Sequence, residues 1–383
     1  MYVGHRMKTI IYLIVLLSGL FLLKSIFSPE PRYNWDALPY MAAVLKMDGV
    51  ENPGQRFLQT YENAEKHIPS DKFFEMVNAN HPYRHAMHVD SKGFAEQMPI
   101  YMVKPLYVFV SFLSYKWGAN LFTATLIPSI LSYYLVGLLF FFFIRVKLGN
   151  IWALVLTFLI AFLPSSQMVS AISSPDAMST MLMIAGMMIL FKRQNSIWAS
   201  IIFALALLTR PDNVMFVFIL YALLLIKSIL EKQLIRQRLI ELTLFLAAFF
   251  ITTYISGNPG WKASFIHTFG GKQIYFISQA RPFTWDIYFY TMDQLYRSFS
   301  NKILVYFLFA SLFVFWDYGK SVNPFLFRFD FRQIVFITLG MTYLIRFLLF
   351  PDIHDRFYYV FFLILILVSI DKVSEMRHSY LES

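Results

Sequence analysis

The sequence contains no cysteine and few charged residues. The absence of cysteine excludes disulfide bonds, thiolate metal sites and cysteine nucleophiles. Charged residues make up 15% of the chain, against about a quarter in an ordinary globular protein. The chain also has no basic stripe interleaved with aromatic residues, so its net charge of +10 does not indicate a nucleic-acid partner.

Apolar residues dominate what is present. The chain is 383 residues long, 58% hydrophobic and 19% aromatic, with a mean hydropathy of +0.55. Its apolar runs are evenly spread, which predicts an all-α integral membrane protein with a single polytopic domain over residues 1–383. We expect about ten spans, near residues 9–27, 120–144, 150–164, 176–191, 196–209, 212–226, 239–256, 302–316, 333–350 and 357–370. Several runs are shorter than the ~20 residues that cross a bilayer, so their helices should extend into flanking polar residues.

The basic residues predict the orientation of these spans. Lys and Arg collect in alternate loops, and the short loops on the other side hold only Arg210 and Arg356. Cytoplasmic loops carry such an excess, so we place both termini in the cytoplasm. Arg6 and Lys8 precede the apolar run Thr9 to Leu23, which has no small-x-small cleavage site after it and reads as an uncleaved signal anchor.

Two long segments then lie outside the cytoplasm, at residues 28–119 and 257–301. In the first we expect two helices in the membrane interface, one over 35–45 and one over 102–118. The aromatic residues of the second segment suit sugar stacking or an interfacial aromatic belt. On the cytoplasmic side, the polar stretch 227–238 reads as a solvated loop helix.

Carboxylates recur at the outer ends of the spans. Pro175-Asp176, Pro211-Asp212 and Pro351-Asp352 each open an apolar run, and Asp36 follows the first span. Charge at a membrane boundary is costly unless it is solvated or used, which points to a site. Asp36 fits a general base. The structural alternatives are that Asp36 favours a helix macrodipole and that the pairs are ordinary helix starts, with Ser174 capping the run at Pro175.

Arg210 and Arg356 stand beside these acids. Their guanidinium groups, together with helix N-termini, suit a phosphate. The alternative is that each Arg pairs with the acid near it, Asp212 or Asp355. The spans are otherwise mostly free of charge, and Arg346 is the main exception.

Other polar residues are weaker candidates for a ligand or metal site. Glu96 and Lys104 are placed to reach a polar ligand, or are surface charges. Candidate metal ligands occur at two places: His354 with Asp355, and the cluster His81, His85 and His88. No H-E-x-x-H motif occurs, and Pro82 interrupts a helix through His81. The spacing therefore indicates no metal or other cofactor, and a divalent metal stays open as an alternative.

Taken in order, these features resemble the GT-C superfamily of membrane glycosyltransferases, which use sugars linked to polyprenyl phosphate. The resemblance covers nearly the whole chain and rests on the signal anchor and on five stretches: Asn34 to Tyr40, Gln97 to Tyr107, Ser173-Ser174-Pro175-Asp176, Thr209-Arg210-Pro211-Asp212 and His354-Asp355-Arg356-Phe357-Tyr358. The chain departs from many members because Asp36 has no second acid beside it. It also lacks the C-terminal soluble domain of oligosaccharyltransferases, so we expect transfer of one sugar.

The resemblance implies an inverting glycosyltransferase at the outer face of a bacterial inner membrane. Asp36 would be the catalytic base, and Lys104, Arg210 and Arg356 would bind the donor phosphate. The residues expected to support the site are Tyr40, Glu96, Asp176, Asp212, Arg346, His354 and Asp355. The implied partners are a polyprenyl-phosphate-linked sugar, membrane lipid and a glycan, lipid or protein acceptor. The alternatives are a transporter or flippase for a lipid-linked glycan, and a glycan polymerase or ligase.

The distribution of basic residues makes the orientation testable. Reporter fusions after Arg193 and after Lys232 should both report a cytoplasmic position, because each follows a cluster of cations. A fusion after Pro351 should report a periplasmic position. A periplasmic signal from either of the first two fusions would overturn the orientation.

Overall fold

The described residues of the chain form helices joined by turns. The computed structural model describes residues 2–297, 330–352 and 354–382. Within these ranges no β-strand is present, and one isolated bridge pairs Arg32 with Ile172. The expectation of an all-α protein is confirmed for this part of the chain.

The first helix is apolar, and six shorter helices follow it before the next long one. Their bounds are α1 Tyr2–Phe27, α2 Ala37–Met47, α3 Pro53–His67, α4 Ser70–Val77, α5 Pro82–Val89, α6 Ser91–Met102 and α7 Pro105–Lys116. A second run of helices begins with the 28-residue α8. These helices are α8 Leu121–Leu148, α9 Asn150–Phe162, α10 Pro164–Ser170, α11 Asp176–Lys192, α12 Ile197–Thr209, α13 Val214–Leu230 and α14 Ile235–Ile255. The remaining described helices are α15 Trp261–Phe269, α16 Trp285–Arg297, α17 Phe331–Leu349 and α18 Asp355–Glu382.

Six described helices are long and apolar enough to cross a membrane. They are Thr9–Phe27, Leu121–Leu148, Pro211–Leu230, Ile235–Ile255, Phe331–Leu349 and Asp355–Arg377. The pair α9 and α10, bent by 68°, makes a seventh if it counts as one span. The protein is therefore a membrane protein.

Each predicted span within the described ranges coincides with a helix, but α11 and α12 are only 17 and 13 residues long. The predicted span 302–316 lies outside the described residues, and the total of ten stays a prediction.

The long helices share one apolar core. α11 packs against α8, α12 and α18, while α13 packs against α14 and α17. Close approach of α11 and α12 depends on Gly186, because a Cβ there would lie 2.8 Å from the ring of the fully buried Phe203. Large apolar side chains such as Ile14, Phe21 and Leu159 face outwards. Such a surface is stable in contact with lipid rather than water.

The segment between α1 and α8 has a second core of its own. Trp35, Tyr61, Phe94 and Tyr107 belong to it. Its centre is α2, in which every residue from Ala37 to Leu45 is buried. The helix predicted over 35–45 is therefore present, and both its apolar and its small residues pack inside protein. Its position at the membrane interface stays a prediction. The helix predicted over 102–118 is α7, which lies against α8 and α2.

The prediction that residues 227–238 form a solvated loop helix was wrong. α13 continues to Leu230, and α14 already begins at Ile235. The turn between them holds Lys232 and Leu234 at φ values of 54° and 57°. Residues in this left-handed region break a helix, so the stretch is a tight reversal rather than a loop helix.

The second predicted outer segment docks onto two other parts of the molecule. The Gln97 amide donates to the Ile274 carbonyl at 3.0 Å, which joins this segment to α6. The Tyr288 hydroxyl donates to the Leu348 carbonyl at 2.8 Å, and the Trp261 indole donates to the Leu349 carbonyl. The segment therefore bridges the α2 core and the end of α17.

Candidate functional site

Six chain segments bring charged side chains together at one end of the long helices. The residues are Asp36, Lys104, Asp176, Arg210, Asp212, Arg346 and Arg356, and we refer to them as the Asp36 cluster. Each lies within four residues of a helix end. Helix ends leave backbone groups unpaired and carry partial charge, so polar side chains collect there. All seven were expected site residues, and the structure brings them together.

Asp36 lies before the first residue of α2, but its side chain does not cap that helix. Its Oδ1 accepts a hydrogen bond from the Tyr101 hydroxyl at 2.9 Å. Its Oδ2 lies 3.5 Å from the Arg356 Nη1, and about a third of the side chain is exposed. Arg356 thus pairs with Asp36, not with the acid beside it in sequence that had been the alternative partner. The carboxylate is oriented by two neighbours and remains open to a ligand.

Lys104 lies beside Asp36 without a carboxylate in hydrogen-bond contact. Its Nζ donates to the Tyr40 hydroxyl at 2.9 Å and sits 5.3 Å and 5.1 Å from the ring centroids of Tyr40 and Tyr101. Burial, followed by the nearby Arg210 charge, lowers the pKa of Lys104 to about 8. Burial also raises the pKa of Tyr40 and of Tyr101, so both hydroxyls keep their protons. An ammonium group held this way retains donors for an anion.

Arg210 is fully engaged by two carboxylates. Its Nε and Nη2 donate to Asp212 Oδ1 and Oδ2 at 3.0 Å and 2.6 Å, and its Nη1 donates to Asp176. The side chains of Arg210 and Asp176 are only 12% and 5% exposed. Arg210 therefore pairs with the acid near it, as the alternative interpretation of the sequence expected. Arg346, from the last turn of α17, donates to the same Asp212.

One aromatic ring lies beside three of the guanidinium groups. The Phe357 centroid is 5.1 Å from the guanidinium carbon of Arg210, 5.2 Å from that of Arg346 and 4.7 Å from that of Arg356. Cations over the face of a ring are stabilised by its quadrupole. Phe357 therefore helps three like charges to lie together at the start of α18.

The Pro-Asp pairs do not behave alike. Pro175-Asp176 opens α11, and Pro211-Asp212 opens a short 3-10 turn before α13. Pro351-Asp352 does not open a helix, because α18 begins only at Asp355. The Asp352 carboxylate accepts a 2.9 Å hydrogen bond from the His354 backbone N–H, a local contact that competes with helix formation. Ser174 does not cap α11 either, since its hydroxyl donates to Asp176 Oδ2 at 2.9 Å.

Three expected site residues occupy other positions. The Glu96 Oε2 accepts from the Ile277 and Ser278 backbone N–H groups at 2.8 Å and 3.1 Å, so this carboxylate holds the second outer segment. The His354 side chain is largely exposed and lies 3.8 Å from Asp352. Asp355 is the first residue of α18 and precedes Arg356.

The histidines of α5 do not converge as metal ligands. His81 stands before the first residue of α5, and His88 contacts the Tyr61 ring at 4.9 Å. His85 Nδ1 is 3.3 Å from the Val77 carbonyl oxygen. Among the described residues, no group of three or more His, Asp or Glu side chains is placed to hold a metal. The expectation from the sequence is therefore unchanged: the spacing indicates no metal, and a divalent metal stays open as an alternative.

Two features of the chain were missed by sequence reasoning. Tyr101, which orients Asp36, was seen only as part of a longer stretch, and no pattern distinguishes it from other tyrosines. Glu241 lies inside an expected span and forms a 2.8 Å ion pair with Arg238, both almost fully buried. The Ser200 hydroxyl, near the start of α12, donates to Glu241, whereas Arg210 follows the end of α12. This second ion pair therefore lies at the opposite end of α12 from the Asp36 cluster.

The chain has no match among protein-family models, curated proteins or solved structures. The resemblance stated above therefore rests on the residues themselves.

The two arginines predict different losses of stability. Arg210→Gln leaves the buried Asp176 carboxylate without its cation, while Asp212 keeps Arg346, and we expect a loss of about 3–5 kcal/mol. Arg356→Gln removes one contact of a partly exposed pair, for which we expect about 1 kcal/mol or less. Thermal unfolding of both variants in detergent measures the difference. Equal losses would contradict the contrast between the two sites.

Proposed function

We propose that this protein is an inverting glycosyltransferase that uses a sugar linked to polyprenyl phosphate. The observation that carries the proposal is the position of Asp36, a partly exposed carboxylate with two cations, Lys104 and Arg356, near it, at the end of an apolar helix bundle. A base beside an anion site is what transfer from a phosphate-linked donor needs. Its position at the end of membrane helices suits a donor anchored in lipid.

Asp36 acts as the general base in this mechanism. The acceptor oxygen forms a bond to the anomeric carbon while the bond from that carbon to the phosphate oxygen breaks. The acceptor proton passes to Asp36, and the electron pair of the broken bond leaves with polyprenyl phosphate. Attack opposite to the leaving group inverts the anomeric configuration. The Tyr101 hydrogen bond holds the carboxylate in one orientation during this step.

Lys104 and Arg356 stabilise the phosphate as it leaves. Fixed cations contribute most where charge develops. Lys104 donates to a tyrosine hydroxyl rather than to a carboxylate, and Arg356 has a single long contact with Asp36. Arg210 and Arg346 contribute charge but are held by Asp176 and Asp212. We therefore assign Arg210, expected from the sequence as a phosphate ligand, to positioning the helix ends around the site.

Exposed apolar side chains at the level of the cluster suit the lipid chain of the donor. Leu344 and Leu348, on the last turns of α17, face away from the bundle, whereas Arg346 between them is buried. In this proposal the cluster faces the outside of a bacterial inner membrane, and both termini are cytoplasmic, as the basic residues indicate. The acceptor is a glycan, a lipid or a protein.

One observation favours a transferase over a transporter. A transporter is expected to have polar groups near the middle of the membrane. Among the described residues, the Asp36 cluster and the Arg238–Glu241 pair lie at opposite ends of α12 instead. A polymerase or ligase would share the site described here, and the size of the transferred group separates it from a transferase of single sugars.

The proposal predicts the effect of Asp36→Asn. This change removes the proton acceptor and keeps the size of the side chain, so we expect transfer to slow by at least ~100-fold. The measurement is product formation from a panel of polyprenyl-phosphate-linked hexoses and pentoses, with purified protein in detergent. Asp71→Asn, at an exposed acid of α4, is the matched control and should leave the rate unchanged. A folded Asp36→Asn protein with normal turnover would eliminate Asp36 as the base.

A further inference from the structure

The Asp36–Arg356 ion pair differs from the other pairs of the cluster. It has one contact, at 3.5 Å, and its two side chains are 32% and 26% exposed. The Arg210–Asp212 pair has two contacts, at 3.0 Å and 2.6 Å, and a further acid completes it. A single long contact open to water contributes little stability. The Asp36–Arg356 pair is therefore the one in this cluster that a ligand can open at small cost.

The two members of this pair have separate tasks in the proposed reaction. Asp36 must receive a proton from the acceptor, and Arg356 must contact the phosphate of the donor. In the structure each occupies the other. Asp36 Oδ1 is also held by Tyr101, and the Arg356 guanidinium also lies over Phe357. Each side chain would keep this second contact if the pair opened.

We propose that the donor phosphate releases Asp36 by taking its place on Arg356. This inference rests on the proposed function and adds an order of events to it. Before the donor binds, Arg356 neutralises the base. The donor phosphate is a diester with one negative charge, and its two free oxygens can accept two N–H donors of one guanidinium, so it competes with a single carboxylate contact. The polyprenyl phosphate that leaves is a monoester and gains further negative charge. Asp36 Oδ2 then becomes free, while Tyr101 keeps the carboxylate in place.

The consequence is that the base is free only when a donor is bound. Lys104 supports the exchange, because its ammonium group lies beside the same carboxylate without contacting it at hydrogen-bond distance. Arg210 cannot make a similar exchange, because all of its bonded nitrogens face Asp176 and Asp212. Arg346 is held by Asp212 and its side chain is only 6% exposed, so the exchange is assigned to Arg356.

Binding of a short-chain isoprenyl monophosphate to the purified full chain tests this exchange. Asp36→Asn removes the competing carboxylate, and we expect affinity to rise about fivefold. Arg356→Gln removes the shared cation, and affinity should fall about tenfold or more. In the double variant the affinity should equal that of Arg356→Gln, because Asp36 has nothing left to block. Calorimetry at neutral pH measures all four proteins, with the uncharged isoprenyl alcohol as the ligand control.

Asp352→Asn is the charge-matched control. Asp352 lies near Arg356 and also carries one negative charge, but its carboxylate contacts the His354 backbone. Asp352→Asn should raise the affinity for the monophosphate by less than half as much as Asp36→Asn does. An equal rise in affinity would mean that removal of any nearby negative charge strengthens phosphate binding, and this result would overturn the exchange.

The remaining outcomes separate this inference from the proposed function. If Asp36→Asn leaves affinity unchanged while Arg356→Gln weakens binding, the exchange is wrong and the phosphate site stands. If Arg356→Gln binds the monophosphate as tightly as the unmodified protein, the phosphate contact itself is wrong and the exchange falls with it. Thermal unfolding of each variant checks that the proteins compared are folded.

Discussion

The Arg210 guanidinium joins the ends of three helices through two carboxylates. Asp176 opens α11, Asp212 precedes α13, and Asp212 in turn binds Arg346 from α17. Charges in apolar surroundings are stable only when they are paired, so these contacts determine how closely the helix ends can approach. Asp36 is joined to this network through Arg356, because Arg356 and Arg210 lie against the same Phe357 ring.

The cluster combines two kinds of ion pair with different physical roles. The inner pairs of Arg210 and Arg346 with Asp176 and Asp212 are linked to one another and have shorter contacts, which suits a rigid support. The outer pair, Asp36 with Arg356, is long and exposed, which suits exchange with a ligand. The proposed reaction needs both, because a base must be held in place while its charge partner changes. In that proposal, the order of donor and acceptor binding follows from one shared arginine.

Much of the fold could be predicted from the sequence, because apolar runs specify where helices form. The approach of Asp36, Asp176, Arg210 and Arg356 was also expected, since helix ends on one side of a membrane meet at one surface. The partners of these residues were not predictable. Arg356 pairs with an acid 320 positions away in sequence rather than with its neighbour. The burial of α2 was missed because small and apolar residues of the pattern suit a membrane interface and a protein core equally. Glu241 was missed because its stabilising partner, Arg238, lies one helical turn away at the edge of the expected span.

In the proposed reaction, Asp36 and Arg356 face one phosphate-linked sugar. An experimental structure of the full chain with a bound polyprenyl-phosphate-linked sugar would show whether they do. We expect the phosphate within hydrogen-bond distance of Arg356 and Lys104, the anomeric carbon beside Asp36, and the Asp36–Arg356 contact opened. A phosphate bound away from the Asp36 cluster, with the Asp36–Arg356 pair intact, would contradict the proposal.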